Sequence, residues 1–232
     1  MNIRGLQKLT LLDFPGHIAC TIFTGGCNFR CPFCHNGGLV LSPEEVPEIP
    51  EDELLNFLKS RIGRLEGVAI TGGEPTIQAD LPEFLRKVKA LGFAVKLDSN
   101  GQNPTMLRRI IEDGNVDYIA MDIKNSKSRY GETIGIPNFN TANIEESVQL
   151  IMKSGLPYEF RTTLSKELHD ENAIREIGEW LRGCRAYFLQ SYRDSEEILT
   201  PNIFHAPDKD TLAHYQEILK PYIDNVTIRG VD

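Results

Sequence analysis

No apolar run in this chain approaches the roughly 18 residues that a membrane-spanning helix needs. The opening stretch MNIRGLQKLTLLDFPG lacks the long apolar segment and small-residue cleavage site of a secretory signal, so a cytoplasmic protein with reduced thiols is expected. Clusters of lysine and arginine are missing too. With a net charge of −8 and a pI near 5.2, the chain offers no general surface for nucleic acid. Low-complexity stretches, Ser/Gly linkers and long charge blocks are also absent, and 232 residues with 41% hydrophobic and 25% charged content suit one globular domain over 1–232. Cysteine is scarce: there are five, three of them within eight positions, which excludes a disulfide framework.

Those three are Cys27, Cys31 and Cys34 in TGGCNFRCPFCHN, spaced C-x3-C-x2-C after an apolar run. Three thiolates on one short loop can hold three irons of a [4Fe–4S] cluster, and no fourth cysteine lies nearby to take the last. An iron without a protein ligand can bind substrate or cofactor. Two rivals stay open on spacing alone. His35 could complete a Cys3His zinc set, although structural zinc usually pairs two separated knuckles and no second knuckle is present. CPFCH also matches the C-x-x-C-H of covalent haem attachment, which belongs with export. Cys20, in IACTIF, reads as a core residue, and Cys184 follows Gly183 in a turn-like LRGCRAY.

Short apolar strands alternate with amphipathic helical stretches. Strands are predicted near 18–23, 67–71, 93–98, 117–123, 157–164, 185–190 and 225–230, and helices near 51–64, 82–91, 104–113, 141–154, 170–182 and 208–222. Pro, Asp or Asn announces many of the helices, as in QADLPEFL, NPTML and NTANIEES. This alternation predicts a parallel sheet with right-handed crossovers. Six repeats are too few for an eight-fold barrel, so the expected fold is α/β, a partial (β/α)6 TIM-like barrel. A flat doubly wound sheet is the alternative.

The polar residues fall where such folds bind ligands, at the carboxyl ends of the strands. TGGEP (71–75), DSNG (98–101) and MDIKN (121–125) each follow an apolar strand; Arg161 and Thr163 lie on another, and Gln190 and Ser191 end the next. Period-2 reading puts Ala120, Asp122 and Lys124 on one face, with Ile119, Met121 and Ile123 facing the helices. Likewise Glu159, Arg161 and Thr163 point one way and Phe160 the other.

CNFRCPFCHN followed about forty residues later by TGGEP resembles the radical S-adenosylmethionine (SAM) superfamily. LLDFPGHIACTIFTGGCNFRCPFCHN further resembles the glycyl-radical-enzyme activating enzymes, and among them the activators of anaerobic ribonucleoside-triphosphate reductase. The resemblance runs from about Leu11 to the last strand, strongest through residue 125. It implies one [4Fe–4S] cluster per chain, held by Cys27, Cys31 and Cys34, and SAM chelated at the open iron. It implies reductive cleavage of SAM to a 5′-deoxyadenosyl radical that takes a hydrogen from a backbone glycine. The partner implied is a glycyl radical enzyme, anaerobic ribonucleotide reductase first, with another such enzyme (a pyruvate formate-lyase) or a small molecule as the alternative. A flavodoxin- or ferredoxin-like electron donor is implied as well, and no nucleic acid or membrane.

The resemblance also gives each residue a role. Phe33 packs at the adenine, Asn36 lines the SAM mouth, Gly72 and Gly73 permit close backbone approach, and Glu74 takes the SAM ammonium. Asp98, Ser99 and Asn100 contact ribose and carboxylate, Asp98 and Asp122 frame a monovalent cation, and Lys124 and Arg161 balance the SAM carboxylate. Beside these stand plainer readings: turn chemistry for TGGEP and DSNG, and ion pairs of Lys124 and Arg161 with Asp122 or Glu159. Cys20 and Cys184 cannot supply the eight-cysteine ferredoxin-like insert of several related activators, so a single cluster is expected. The Gln190–Ser191 end and the Pro-rich LTPNIFHAPD (199–208) receive no role.

Overall fold

The computed structural model describes residues 1–195 and 198–231. The chain forms two compact units, Met1–Asn28 with Gly38–Ala120, and Phe29–Gly37 with Met121–Asp232. Among the described residues no helix is long and apolar enough to cross a membrane.

The first unit opens with β1 (Ile3–Thr10), paired antiparallel to β2 (Ala19–Thr24). After α1 (Gly37–Leu41) and α2 (Glu51–Ser60) comes β3 (Gly67–Gly72), parallel to β2 with Ile22 opposite Ile70. α3 (Leu81–Ala90) leads to β4 (Ala94–Ser99), parallel to β3, and α4 (Pro104–Glu112) follows. Ile22, Val68, Ile70, Val95 and Leu97 on the strands, with Leu54, Leu58, Phe84, Leu85 and Leu107 on the helices, are all buried. Their burial, at about 25 cal/mol per Å² of apolar surface, drives the layering. The Oδ1 of Asn103 caps α4 by accepting from Met106 N at 3.1 Å, with Pro104 at the first helical position.

β5 (Tyr118–Asp122) leads into the second unit, where α5 (Tyr130–Thr133) and α6 (Ala142–Lys153) precede β6 (Tyr158–Leu164). α7 (Glu171–Trp180), β7 (Tyr187–Ser191), α8 (Lys209–Leu219) and β8 (Val226–Arg229) complete it. β6, β7 and β8 are parallel neighbours. Of the aspartates at predicted helix starts, Asp170 accepts from Ala173 N at 2.9 Å and Asp208 from Thr211 N at 2.8 Å, whereas the Asp80 side chain makes no cap bond to α3.

Each predicted strand and helix is present, with ends shifted by a few residues. α2 stops at Ser60 rather than near 64, because the chain turns through Gly63 at φ +77. β1 was not predicted, since exposed Gln7, Lys8 and Leu9 break its apolar pattern. Cys20 and Cys184 are both buried, as the core reading of Cys20 expects, and burial pushes each thiol up to about 12.

Candidate active site

In the first unit the TGGEP turn lies at the carboxyl end of β3, bonded to the backbone that leads into Cys27. Gly73 N donates to Thr24 O at 2.9 Å and Glu74 N to Gly26 O at 2.8 Å. The approach is too close for any side chain. A Cβ on Gly73 would lie 1.9 Å from the Gly26 carbonyl oxygen, and one on Gly72, at φ +117, would lie 2.3 Å from Thr24 N.

Glu74 faces inward and is 1% exposed. Its carboxylate accepts from Thr76 N at 3.1 Å, Thr76 Oγ1 at 2.5 Å, Ser99 Oγ at 2.8 Å and Asn100 N at 2.6 Å. It thereby ties the turn after β3 to the turn after β4. Burial raises its pKa, against the lowering effect of those four hydrogen bonds. Asn100 in turn donates through Nδ2 to Asn28 Oδ1 at 2.8 Å, and the same nitrogen lies 3.9 Å from the Cys27 sulfur. Cys27, Gly72, Gly73, Glu74, Ser99 and Asn100 therefore belong to one bonded constellation. Asp98 is nearby in sequence but pairs with Lys96, a buried lysine on β4.

The second unit holds Cys31, Phe33, Cys34, Asn36, Asp122, Lys124 and Arg161. Cys34 N donates to Cys31 O at 3.0 Å, closing a tight turn that carries both thiols. Phe33, between them, is buried, and Asn36 is half-buried. Asp122 receives Arg161 Nε at 2.5 Å and Lys124 Nζ at 2.9 Å. Burial alone would raise the Asp122 pKa, but the two cations outweigh it and hold the carboxyl well below the usual range. For Lys124, burial favours the neutral amine, but Asp122, Cys31 and Cys34 outweigh it and keep the ammonium charged. Such a cationic pair, half-buried and fixed by one acid, can hold a carboxylate ligand.

Several residues that organise these groups escaped sequence reading. Lys96 could have been noticed as a charge inside the apolar strand AVKLDS, and Arg229 as a cation closing the last strand. His169 is buried and bonded through Nε2 to Lys124 O at 3.0 Å, with no sequence signal beyond its type.

The donor chemistry suits an iron–sulfur cluster: three thiols within eight residues, two of them on one turn and electrostatically matched to Lys124. Among the described residues no three His, Cys, Asp or Glu side chains stand in a ready metal-holding group. His35, the fourth ligand of the zinc alternative, bonds through Nε2 to Arg193 O at 2.6 Å.

The sequence profile of the Radical SAM superfamily matches residues 21–177. A Methanocaldococcus jannaschii protein, provisionally named a glycyl-radical enzyme activating enzyme, is 31% identical over 99% of this chain and 96% of its own length. A pyruvate formate-lyase-activating enzyme of Staphylococcus epidermidis is 28% identical over 59% of each chain. The crystal structure of Streptococcus suis SuiB bound to S-adenosylmethionine superimposes with a TM-score of 0.69 at 16% identity, covering 88% of this chain and 48% of SuiB. This chain thus spans about half of SuiB's length, and that likeness speaks for the fold alone. The chain belongs to the radical SAM superfamily, an α/β fold built on parallel strands. It is an enzyme of that class, and the family implies a [4Fe–4S] cluster and SAM.

Proposed function

We propose that the chain, acting as one radical SAM domain over residues 1–232, is an activase that places a glycyl radical on anaerobic ribonucleoside-triphosphate reductase in the cytoplasm. The observation that carries the activase reading is the similarity to the M. jannaschii activating-enzyme relative over nearly the whole of both chains. The choice of reductase rests on the segment LLDFPGHIACTIFTGGCNFRCPFCHN.

In this reading Cys27, Cys31 and Cys34 hold a single [4Fe–4S] cluster. Cluster and SAM, when bound, supply reductive cleavage of the S–C5′ bond and a 5′-deoxyadenosyl radical that abstracts hydrogen from a partner glycine. The chain's own groups bind and orient. Lys124 and Arg161, fixed by Asp122, receive the SAM carboxylate. Gly72 and Gly73 present backbone without side chains, and Asp98, Ser99 and Asn100 contact the ribose and the SAM carboxylate. Phe33 packs at the adenine and Asn36 lines the SAM mouth. Glu74 serves the SAM ammonium, through its carboxylate or through the turn it ties together. Asp98, paired with Lys96, and Asp122, paired with Lys124, are the carboxylates that would meet a monovalent cation. A flavodoxin- or ferredoxin-like protein supplies the electron.

The test is anaerobic electron paramagnetic resonance of the reconstituted, reduced protein with SAM and the reductase. A glycyl-radical doublet that disappears with Cys31→Ala establishes reaction and target together. A reduced-cluster signal altered by SAM, without a doublet, keeps the superfamily chemistry and rejects the reductase.

A further inference from the structure

The Pro-rich segment after β7 grips the cysteine loop. Leu199 N donates to Cys34 O at 3.1 Å and Thr200 N to Pro32 O at 2.9 Å, so two carbonyls of the Cys31–Cys34 turn are held by a segment outside it. The Phe204 ring meets Phe33 edge-on, centroids 6.1 Å apart, and meets Tyr192 likewise at 6.2 Å. All three rings are buried. Next to the turn, His35 bonds to Arg193 O and its ring lies 5.8 Å from that of Tyr192.

The segment is itself anchored at the end of β6. Tyr192 N donates to Leu164 O at 3.1 Å and Lys166 N to His205 O at 2.9 Å. Asp194 braces its interior, accepting from Tyr192 Oη and Ser195 N at 3.0 Å each and from Asn202 N at 3.3 Å. Asn202 takes φ +63 there, in the left-handed region that asparagine tolerates better than most residues. A surface connection has no need of this much internal bonding, or of bonds to the carbonyl of a candidate cluster ligand.

We infer that Leu199, Thr200 and Phe204 are positioning residues that clamp the Cys31–Cys34 turn and set how firmly these two thiols hold the cluster. The clamp rests on the cluster reading given above. Groups behind metal ligands fix ligand orientation, and losing them weakens metal retention. Here the fixing groups are two backbone N–H donors and one aromatic edge.

Phe204→Ala removes the edge contact, Thr200→Pro removes one of the N–H donors, and Phe204→Tyr retains the ring. Each is reconstituted anaerobically, and cluster loss to a ferrous chelator is followed by visible absorption. The reduced-cluster paramagnetic spectrum and the unfolding midpoint of the cluster-free chain are recorded alongside. Phe204→Ala and Thr200→Pro are expected to lose cluster about 10-fold faster than the wild type. Phe204→Tyr should restore the wild-type rate and spectrum. A wild-type cluster that Phe204→Ala and Thr200→Pro hold for equally long overturns the clamp and leaves the cluster reading standing. A wild-type chain that assembles no cluster overturns that reading, and the clamp with it.

Discussion

Arg229 on β8 holds the carboxylate of Glu159 on β6 with both terminal guanidinium nitrogens, each at 3.0 Å, reaching across β7 to do so. The guanidinium lies 3.3 Å from the centroid of the Phe188 ring on the intervening strand, and Glu159 is 1% exposed. Arg161 Nη1 lies 3.9 Å from the same carboxylate, while its Nε is bound to Asp122. The last strand is thereby linked to the Asp122–Lys124 pair through alternating charges.

Arg229→Met keeps much of the packing on Phe188 but removes the bidentate partner of a buried acid. The expected cost is about 3 kcal/mol, the lower end for breaking a buried pair, because Arg161 stays close. Urea unfolding of the variant beside Glu159→Gln and the double mutant reads the coupling. Additive effects of the two single changes would show that the pair contributes nothing jointly.

Glu74 carries two separable expectations. Glu74→Ala leaves the N–H groups of Thr76 and Asn100 buried without their acceptor, costing about 2 to 6 kcal/mol in total. The acid's pKa is raised by burial above the ordinary 4.5, so the native state binds the proton more tightly than the unfolded chain does. Its contribution is therefore full below pH 4.5 and declines as pH rises through the folded pKa. Glu74→Gln should remove that decline, which denaturation at a series of pH values would reveal. Calorimetric titration with SAM tests the role in binding: Glu74→Ala should retain the cluster and bind SAM more weakly, and an unchanged affinity removes Glu74 from the site.

Strand and helix positions were legible because apolar period and helix-start residues act locally: GVAIT, FAVKL and the Asn103 cap in NPTML could be read in isolation. The same holds for Gly72 and Gly73, since TGGEP advertises a turn that only glycine fits. Long-range pairing left no such mark. Nothing in HDENA announces that His169 bonds to the carbonyl of Lys124, and nothing in LTPNIF announces bonds to Pro32 and Cys34. Glu74 shows the intermediate case: its motif was visible, but its inward turn depends on Ser99 and Asn100 arriving from β4.

The five cysteines should separate by reactivity. Burial pushes the thiols of Cys20 and Cys184 up to about 12, so almost no thiolate is present at neutral pH. Cys27 and Cys34 are partly exposed. Iodoacetamide applied to the cluster-free native chain should alkylate Cys27 and Cys34 first and reach Cys20 and Cys184 only after unfolding, as mass spectrometry of peptides would show. Early modification of Cys184 would contradict its placement in the core.

His169 makes the second unit acid-sensitive. Its Nε2 donates to Lys124 O at 3.0 Å and its Nδ1 accepts from Ser165 N at 3.2 Å, which fixes the neutral tautomer. Burial lowers its pKa from 6.5 to about 4, the two backbone bonds opposing this, with Arg129 lowering it and Asp170 raising it. The unfolded chain therefore takes up the proton first as pH falls. Stability is fully present above pH 6.5 and lost on the way down to about 4, by roughly 3 kcal/mol. A proton on Nδ1 would also oppose the Ser165 N–H and loosen the backbone that carries Lys124. His169→Gln should be less stable at pH 7 but show a flatter loss between pH 6.5 and 4, measured as urea midpoints across that range. An equal slope in the two proteins would place the acid sensitivity on other groups.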